Sequence, residues 1–150
     1  MQCKILGCIV LMAMWVPRVA AQTAGDSSAI RQTALDYIEG FYEGNADRMS
    51  KAVHGELAKR IVMRDPQRFP REFVHEMGAT ELIEATRAGS GTKIPADRRR
   101  KDLTILDISY GKAASVKIIA SDWVDYLHEA KVDGQWKIIN VLWERTPSSQ

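Results

Sequence analysis

The stretch from Asp102 to Glu144, DLTILDISYGKAASVKIIASDWVDYLHEAKVDGQWKIINVLWE, decides the fold. Leu103–Ser109, Ala113–Ser121, Val124–Val132 and Gln135–Glu144 are rich in β-branched and aromatic residues and read as four strands. Between them stand Tyr110-Gly111-Lys112 and Asp133-Gly134. Asp-Gly favours the two-residue hairpin turn that requires a left-handed backbone. Strands this close in sequence pair antiparallel, so the C-terminal third predicts an antiparallel sheet.

Alternation assigns the faces. Val124, Tyr126, His128, Ala130 and Val132 share one face of the third strand, and Trp136, Ile138, Asn140 and Leu142 share one face of the fourth. These sets are taken as the inward face. The opposite set is also apolar: Ile119, Leu127, Ile139, Val141 and Trp143 lie among Lys117, Asp125 and Lys137. A sheet apolar on both faces must be covered on both. Helices cover one face, so the second is expected to be buried in a homodimer through those five residues, with Trp143 near the centre.

Upstream the period changes to that of helices. Asp26, Ser27 and Ser28 are N-cap candidates for an amphipathic helix carrying Ile30, Ala34, Tyr37, Ile38, Phe41 and Tyr42, which Gly44 ends. Asn45 caps a shorter helix whose Met49, Ala52 and Val53 share a face before Gly55 stops it. Glu56–Met63 reads as a strand, the stretch through Asp65-Pro66 and Phe69-Pro70 as a loop, and Ala79–Ala88 as a third helix. The run Arg98-Arg99-Arg100-Lys101 lies in a glycine-rich connection. With no aromatic residue interleaved for base stacking, it reads as a solvated loop edge.

The N-terminus has the pattern of a secretory leader. Met1–Lys4 is a short basic start, Ile5–Val16 is almost wholly apolar, and Val19-Ala20-Ala21 forms a small-residue cleavage site. The apolar run falls short of the roughly twenty residues of a spanning helix. Cleavage after Ala21 is expected, leaving one domain over residues 22–150 that is exported to the periplasm or the medium. Such cleavage removes Cys3 and Cys8, so stability comes from core burial and not from disulfides. It also removes Lys4 and Arg18 and no acid, so the 21 basic residues fall to 19 against 19 acidic ones. A neutral domain lacks the surplus positive charge of nucleic-acid binding. Neither a nucleic-acid partner nor stable membrane insertion after leader cleavage is expected.

Long helix, short helix, strand, third helix and curved antiparallel sheet, in that order, resemble the α+β cone of the NTF2-like fold. Nuclear transport factor 2, ketosteroid isomerase and the SnoaL-like polyketide cyclases share that cone. More specifically, DYIEGFYEG at Asp36–Gly44, LAKR at Leu57–Arg60, ELIEATRAG at Glu81–Gly89, VDYLH at Val124–His128 and WKIINVLW at Trp136–Trp143 resemble the putative lumazine-binding family of that superfamily. The resemblance implies three N-terminal helices packed on the sheet and a small molecule held in the cone. It brings no established reaction, and fold alone supplies none.

Each candidate site residue has two readings. His128 on the assigned inward face is a general base or donor to a ligand, or a hydrogen-bonded core histidine. Asn140 contacts a ligand or pairs internally, since an amide between Ile138 and Leu142 is costly to bury alone. His54 follows the second helix and is placed at the cone mouth or on the plain surface. Tyr37 and Phe41 belong to the core, or to a cavity wall where their rings stack on a flat heterocycle. With Tyr126 and Leu142 these residues make the expected ligand-binding set. Isomerase chemistry needs an inward carboxylate base and an oxyanion donor. By alternation Asp125 points outward, unless a bulge shifts the register by one, and the side on which Asp107 stands stays open. The three scattered histidines His54, His75 and His128 are poor zinc ligands, and no serine elbow or mature thiol is present. No metal and no cofactor are expected. An exported binding module, a ketosteroid isomerase-like isomerase, cyclase or dehydratase, and a dimeric scaffold with a self-filled cone remain as readings.

Overall fold

The computed structural model describes residues 18–147, with side chains from residue 24 onward; the expected leader lies almost wholly outside the described residues. Helices α1 (Arg18–Glu43) and α2 (Ala46–Ala52) lead into strand β1 (Val53–Met63). Strand β2 (Phe73–Gly78) and helix α3 (Ala79–Arg87) follow. Two short 3₁₀ turns precede β3 (Asp102–Ser109), β4 (Ala113–Ile119), β5 (Trp123–Val132) and β6 (Gln135–Arg145). The six strands form one sheet in the order β2-β1-β6-β5-β4-β3. Every neighbouring pair is antiparallel except β1 with β6, which run parallel. This is the α+β cone expected from the sequence.

Helix α1 lies across the sheet against β3, β4 and β6, while α3 covers β1 and β2. Ile30, Ala34, Tyr37 and Ile38 of α1 meet Val116, Ile118, Leu127, Ile138 and Val141 of the sheet, all almost fully buried. Each such aliphatic side chain withdrawn from water contributes roughly 1.5–3 kcal/mol. The helix extends further upstream than Asp26, so Asp26 is not its cap. Its carboxylate accepts from Lys131 Nζ at 2.7 Å and Trp136 Nε1 at 3.1 Å, tying the start of α1 to the β5–β6 hairpin. Asn45 does cap α2, with its Oδ1 accepting from the Arg48 amide at 3.0 Å. Val53 and Gly55, read as the end of that helix, belong to β1.

The hairpin turns match their sequence signals. Tyr110 (φ 48°) with Gly111 (φ 68°), and Asp133 (φ 48°) with Gly134 (φ 80°), take the left-handed pairs of the favoured hairpin turn. Strand β2 falls between the loop at Phe69-Pro70 and the third helix, where the sequence reading assigns no element. It is an edge strand held by six antiparallel pairs to β1, and its exposed Val74 and half-buried Phe73 and Met77 show no clean alternation.

The face assignment is corrected on β5 and on half of β6. Asp125, Leu127 and Glu129 are buried toward the helices, while Tyr126 and His128 are exposed. On β5 the hairpin register is the reason, since Lys131 pairs with the inward Trp136 and Glu129 with the inward Ile138, which puts odd-numbered residues on that face. On β6 it is a bulge at Ile139, because His128 pairs with Asn140 but Glu129 pairs with Ile138, leaving Ile139 without a partner on β5. Trp136 and Ile138 therefore face inward before the bulge, and Val141 and Trp143 after it. The pairing of β1 with β6 breaks at the same level, between Val53 and Ala58. Leu127 and Val141 thus belong to the core, each 0% exposed, and the expected dimer face cannot contain them. Ile119 is half-buried on the outer face and Ile139 is exposed there, whereas Trp143 packs against the core.

Candidate functional site

A cavity of about 310 Å³ opens between the helices and the sheet. Its walls come from Tyr37, Ile38 and Phe41 of α1, Leu82 and Ala85 of α3, and Trp123 and Trp143 of the sheet. Lys59, Met77, Ser90, Ile94, Asp122 and Arg145 complete the lining. Gly91 lets the loop carrying Ser90 and Ile94 close on α1, because a Cβ there would stand 2.2 Å from the Phe41 carbonyl oxygen. Tyr42 fastens the far side of the mouth, its hydroxyl donating to the Arg100 carbonyl at 2.6 Å and accepting from the Ser121 amide at 3.2 Å. The basic run stays at this edge, with Arg99 Nε donating to the Ile94 carbonyl and Arg100 and Lys101 paired with Asp102 and Glu39.

Polar groups converge on the cavity floor. Lys59 alternates with Leu57 and Ile61 on the inward face of β1, so the strand carries its ammonium into the core. There Lys59 Nζ donates to the Tyr37 hydroxyl at 2.7 Å and to Asp125 Oδ1 at 2.7 Å. Trp123 Nε1 donates to the other carboxylate oxygen, also at 2.7 Å. The ammonium also sits 4.9 Å from the Trp143 ring centroid and 5.4 Å from that of Tyr37, within cation–π range. Phe41 meets the Trp123 ring edge-on at 5.9 Å. Burial pushes the Lys59 ammonium down from the ordinary lysine range, and the Asp125 carboxylate opposes that shift. Burial, reinforced by Asp125, pushes the Tyr37 phenol well above its usual value, so it stays protonated at neutral pH.

Of the seven residues expected to line the cone, Tyr37 and Phe41 do so. Tyr126, His128, Asn140 and Leu142 are on the opposite face, and the expectation is corrected for all four. Asn140 takes its internal alternative, its Oδ1 accepting from Arg60 Nη1 at 2.9 Å and its amide nitrogen standing 3.2 Å from His128 Nδ1. Arg60 continues this outer network to Glu76 at 2.7 Å. His54 lies outside the cavity, its Nδ1 accepting from the Glu56 amide. Asp107 is exposed, because β3 has its own register shift between Ile105 and Asp107. Lys59, Trp123 and Trp143 were not expected at the site, and Asp125 was expected there only as the base of the isomerase alternative, with its register shifted by one. A charged residue flanked at ±2 by Leu57 and Ile61 was the available signal for Lys59; for Asp125 it was the Asp133-Gly134 hairpin, whose register sets Lys131 opposite Trp136 and Glu129 opposite Ile138 and so turns odd-numbered residues of β5 inward. Among the described residues no group of three or more His, Cys, Asp and Glu side chains could hold a metal ion.

Solved structures share this architecture. An NTF2-like protein with a cystatin-like fold from Novosphingobium aromaticivorans has a TM-score of 0.66 at 10% identity, over 93% of this chain and 94% of that one. An NTF2-like protein of unknown function from Silicibacter pomeroyi gives 0.60 at 12% identity, over 82% and 98%. A hexachlorocyclohexane dehydrochlorinase gives 0.53 at 10% identity, over 85% and 90%. Identities this low show the fold alone. No curated protein matches the chain. The model of the family described as "Putative lumazine-binding" matches residues 11–144, and the chain belongs to that family.

Proposed function

We propose that this protein binds a small, flat, partly polar organic molecule in its cone. The observation that carries the reading is the cavity of about 310 Å³ with aromatic walls and one buried, hydrogen-bonded ammonium at its floor. That size is at the lower end of ligand pockets, and an apolar lining with few placed polar groups is their usual chemistry. A scaffold that filled its own cone would leave no such space. Isomerase chemistry has less support. Asp125 faces inward, as that reading requires, but one of its oxygens is held by Lys59 and the other by Trp123. A carboxylate so occupied is a poor proton abstractor.

The leader-like N-terminus supports export with cleavage after Ala21, and among the described residues no helix is long and apolar enough to cross a membrane. Homodimerisation through the outer sheet face remains part of the reading, with changed residues: Val62, Val74, Tyr126, Ile139 and Leu142 are the exposed apolar side chains there. Native mass spectrometry of the protein purified from its own envelope extract tests the binding reading. A co-purifying small molecule that persists in His128→Ala and Asn140→Leu and is lost in Trp143→Ala is the expected result. A mass retained in Trp143→Ala but lost with the outer-face pair would place the ligand outside the cone and sink the reading.

A further inference from the structure

The floor of the cavity holds a closed charge pair with one donor to spare. An ammonium has three N–H groups; two of those on Lys59 go to Tyr37 and Asp125, and no third acceptor stands within hydrogen-bond range among the described residues. Lys59 is 9% exposed and Asp125 0%. Their charges cancel, and Trp123 occupies the remaining oxygen of Asp125. Resting on the binding reading above, we infer that the inner end of the ligand is an uncharged acceptor, a carbonyl oxygen of a conjugated ketone, lactam or quinone, which takes the third Lys59 N–H.

Charge balance decides between acceptor classes. A carboxylate or phenolate at this depth is a third buried charge beside a pair already neutral, and its desolvation goes uncompensated. A cation meets the Lys59 ammonium directly. A hydrocarbon leaves the spare N–H unpaired after the cavity water is displaced, which forfeits a charge-assisted hydrogen bond. A carbonyl adds no net charge and completes the ammonium's coordination. The aromatic surfaces of Phe41, Trp123 and Trp143 fit a flat conjugated body. A charged substituent belongs only at the outer end, where Asp122 and Arg145 reach solvent.

Three probes of matched shape test this: 1-tetralone, tetralin and 1-naphthoate, titrated by calorimetry and by the fluorescence of Trp123 and Trp143. The ketone is expected to bind about tenfold or more tightly than tetralin, and naphthoate no better than tetralin. The infrared C=O stretch of bound ¹³C-labelled tetralone should shift to lower frequency. In Lys59→Met/Asp125→Asn, which removes both charges together, tetralin should still bind, while the ketone's advantage and its band shift vanish. The wild-type comparison and the band need no variant, so a misfolded double mutant leaves the test intact. Equal binding of ketone and tetralin overturns the acceptor while leaving the cone a binding site. Tightest binding of naphthoate overturns it in favour of an anion floor. If none of the three binds, the binding reading fails and the acceptor falls with it.

Discussion

Lys59 Nζ and Asp125 Oδ1 lie 2.7 Å apart with both side chains withdrawn from solvent. Their attraction repays desolvation only while both are present. Lys59→Met alone strands a buried carboxylate and should cost about 3–5 kcal/mol, and Asp125→Asn alone strands the ammonium at similar cost. The double substitution should recover most of the loss. Urea unfolding of the four proteins, taken as a double-mutant cycle, checks the coupling; additive losses would mean that the pair is not a unit.

Glu129 predicts a pH dependence of opposite sign to acid denaturation. It is 1% exposed, neither carboxylate oxygen has a hydrogen-bond partner, and burial pushes its carboxyl up to about 8. The folded chain therefore holds a proton that the unfolded chain releases near pH 4.5. Stability contributed by this group is complete below that value, falls as pH rises toward about 8, and is flat beyond. Glu129→Met should gain on the order of a few kcal/mol at pH 8.5 and little at pH 4. Thermal melts of both proteins across that range would show parallel curves if the carboxyl were solvated.

At Gly91 the absent Cβ would meet backbone, 2.2 Å from the Phe41 carbonyl oxygen. Gly91→Ala must lift the Ser90–Ile94 loop from α1, at a cost of about 1–3 kcal/mol. Ligand affinity should fall with it, because Ser90, Ile94 and Phe41 all line the cavity. Calorimetry of the variant beside its melting curve separates the two losses.

The two sheet faces should answer differently to charge. Leu142, 53% exposed, becomes Glu with little effect on the folded monomer, and sedimentation at micromolar concentration should show the dimer lost. Trp143→Glu puts an acid beside Lys59 and Tyr37 and should lower the melting temperature. If Leu142→Glu leaves a dimer intact, the outer face is not its interface.

Local signals were legible and long-range ones were not. Asp133-Gly134 sets its own backbone, so the β5–β6 hairpin could be placed from two residues, and Asn45 likewise marks the start of α2. Strand β2 exists through its pairing with β1, and nothing in Phe73–Gly78 states that partner. On β5 both faces carry apolar side chains, and the buried one also carries Asp125 and Glu129, so hydrophobic alternation favoured the wrong face. No glycine or proline marks the bulge. The phase set by Trp136 and Ile138 was therefore carried through to Leu142, moving the expected site to the outside of the sheet. Tyr37 and Phe41 escaped that error because a helix has no such parity.

Ile139 acts as a one-letter insertion in a reading frame of period two. Before it, even-numbered residues of β6 are addressed to the helices; after it, odd-numbered ones are. The position of the extra residue therefore says where along the strand the inward parity changes, independently of the residues themselves. Excising Ile139 would leave a regular strand on which Ile138, Val141 and Trp143 still face the helices and Asn140 and Leu142 the outside, because Ile138 and Asn140 already pair with the neighbouring residues Glu129 and His128. A cone of this kind can gain or lose a residue on β6 and keep its lining, because the bulge takes up the extra residue and leaves the pairing on either side of it intact.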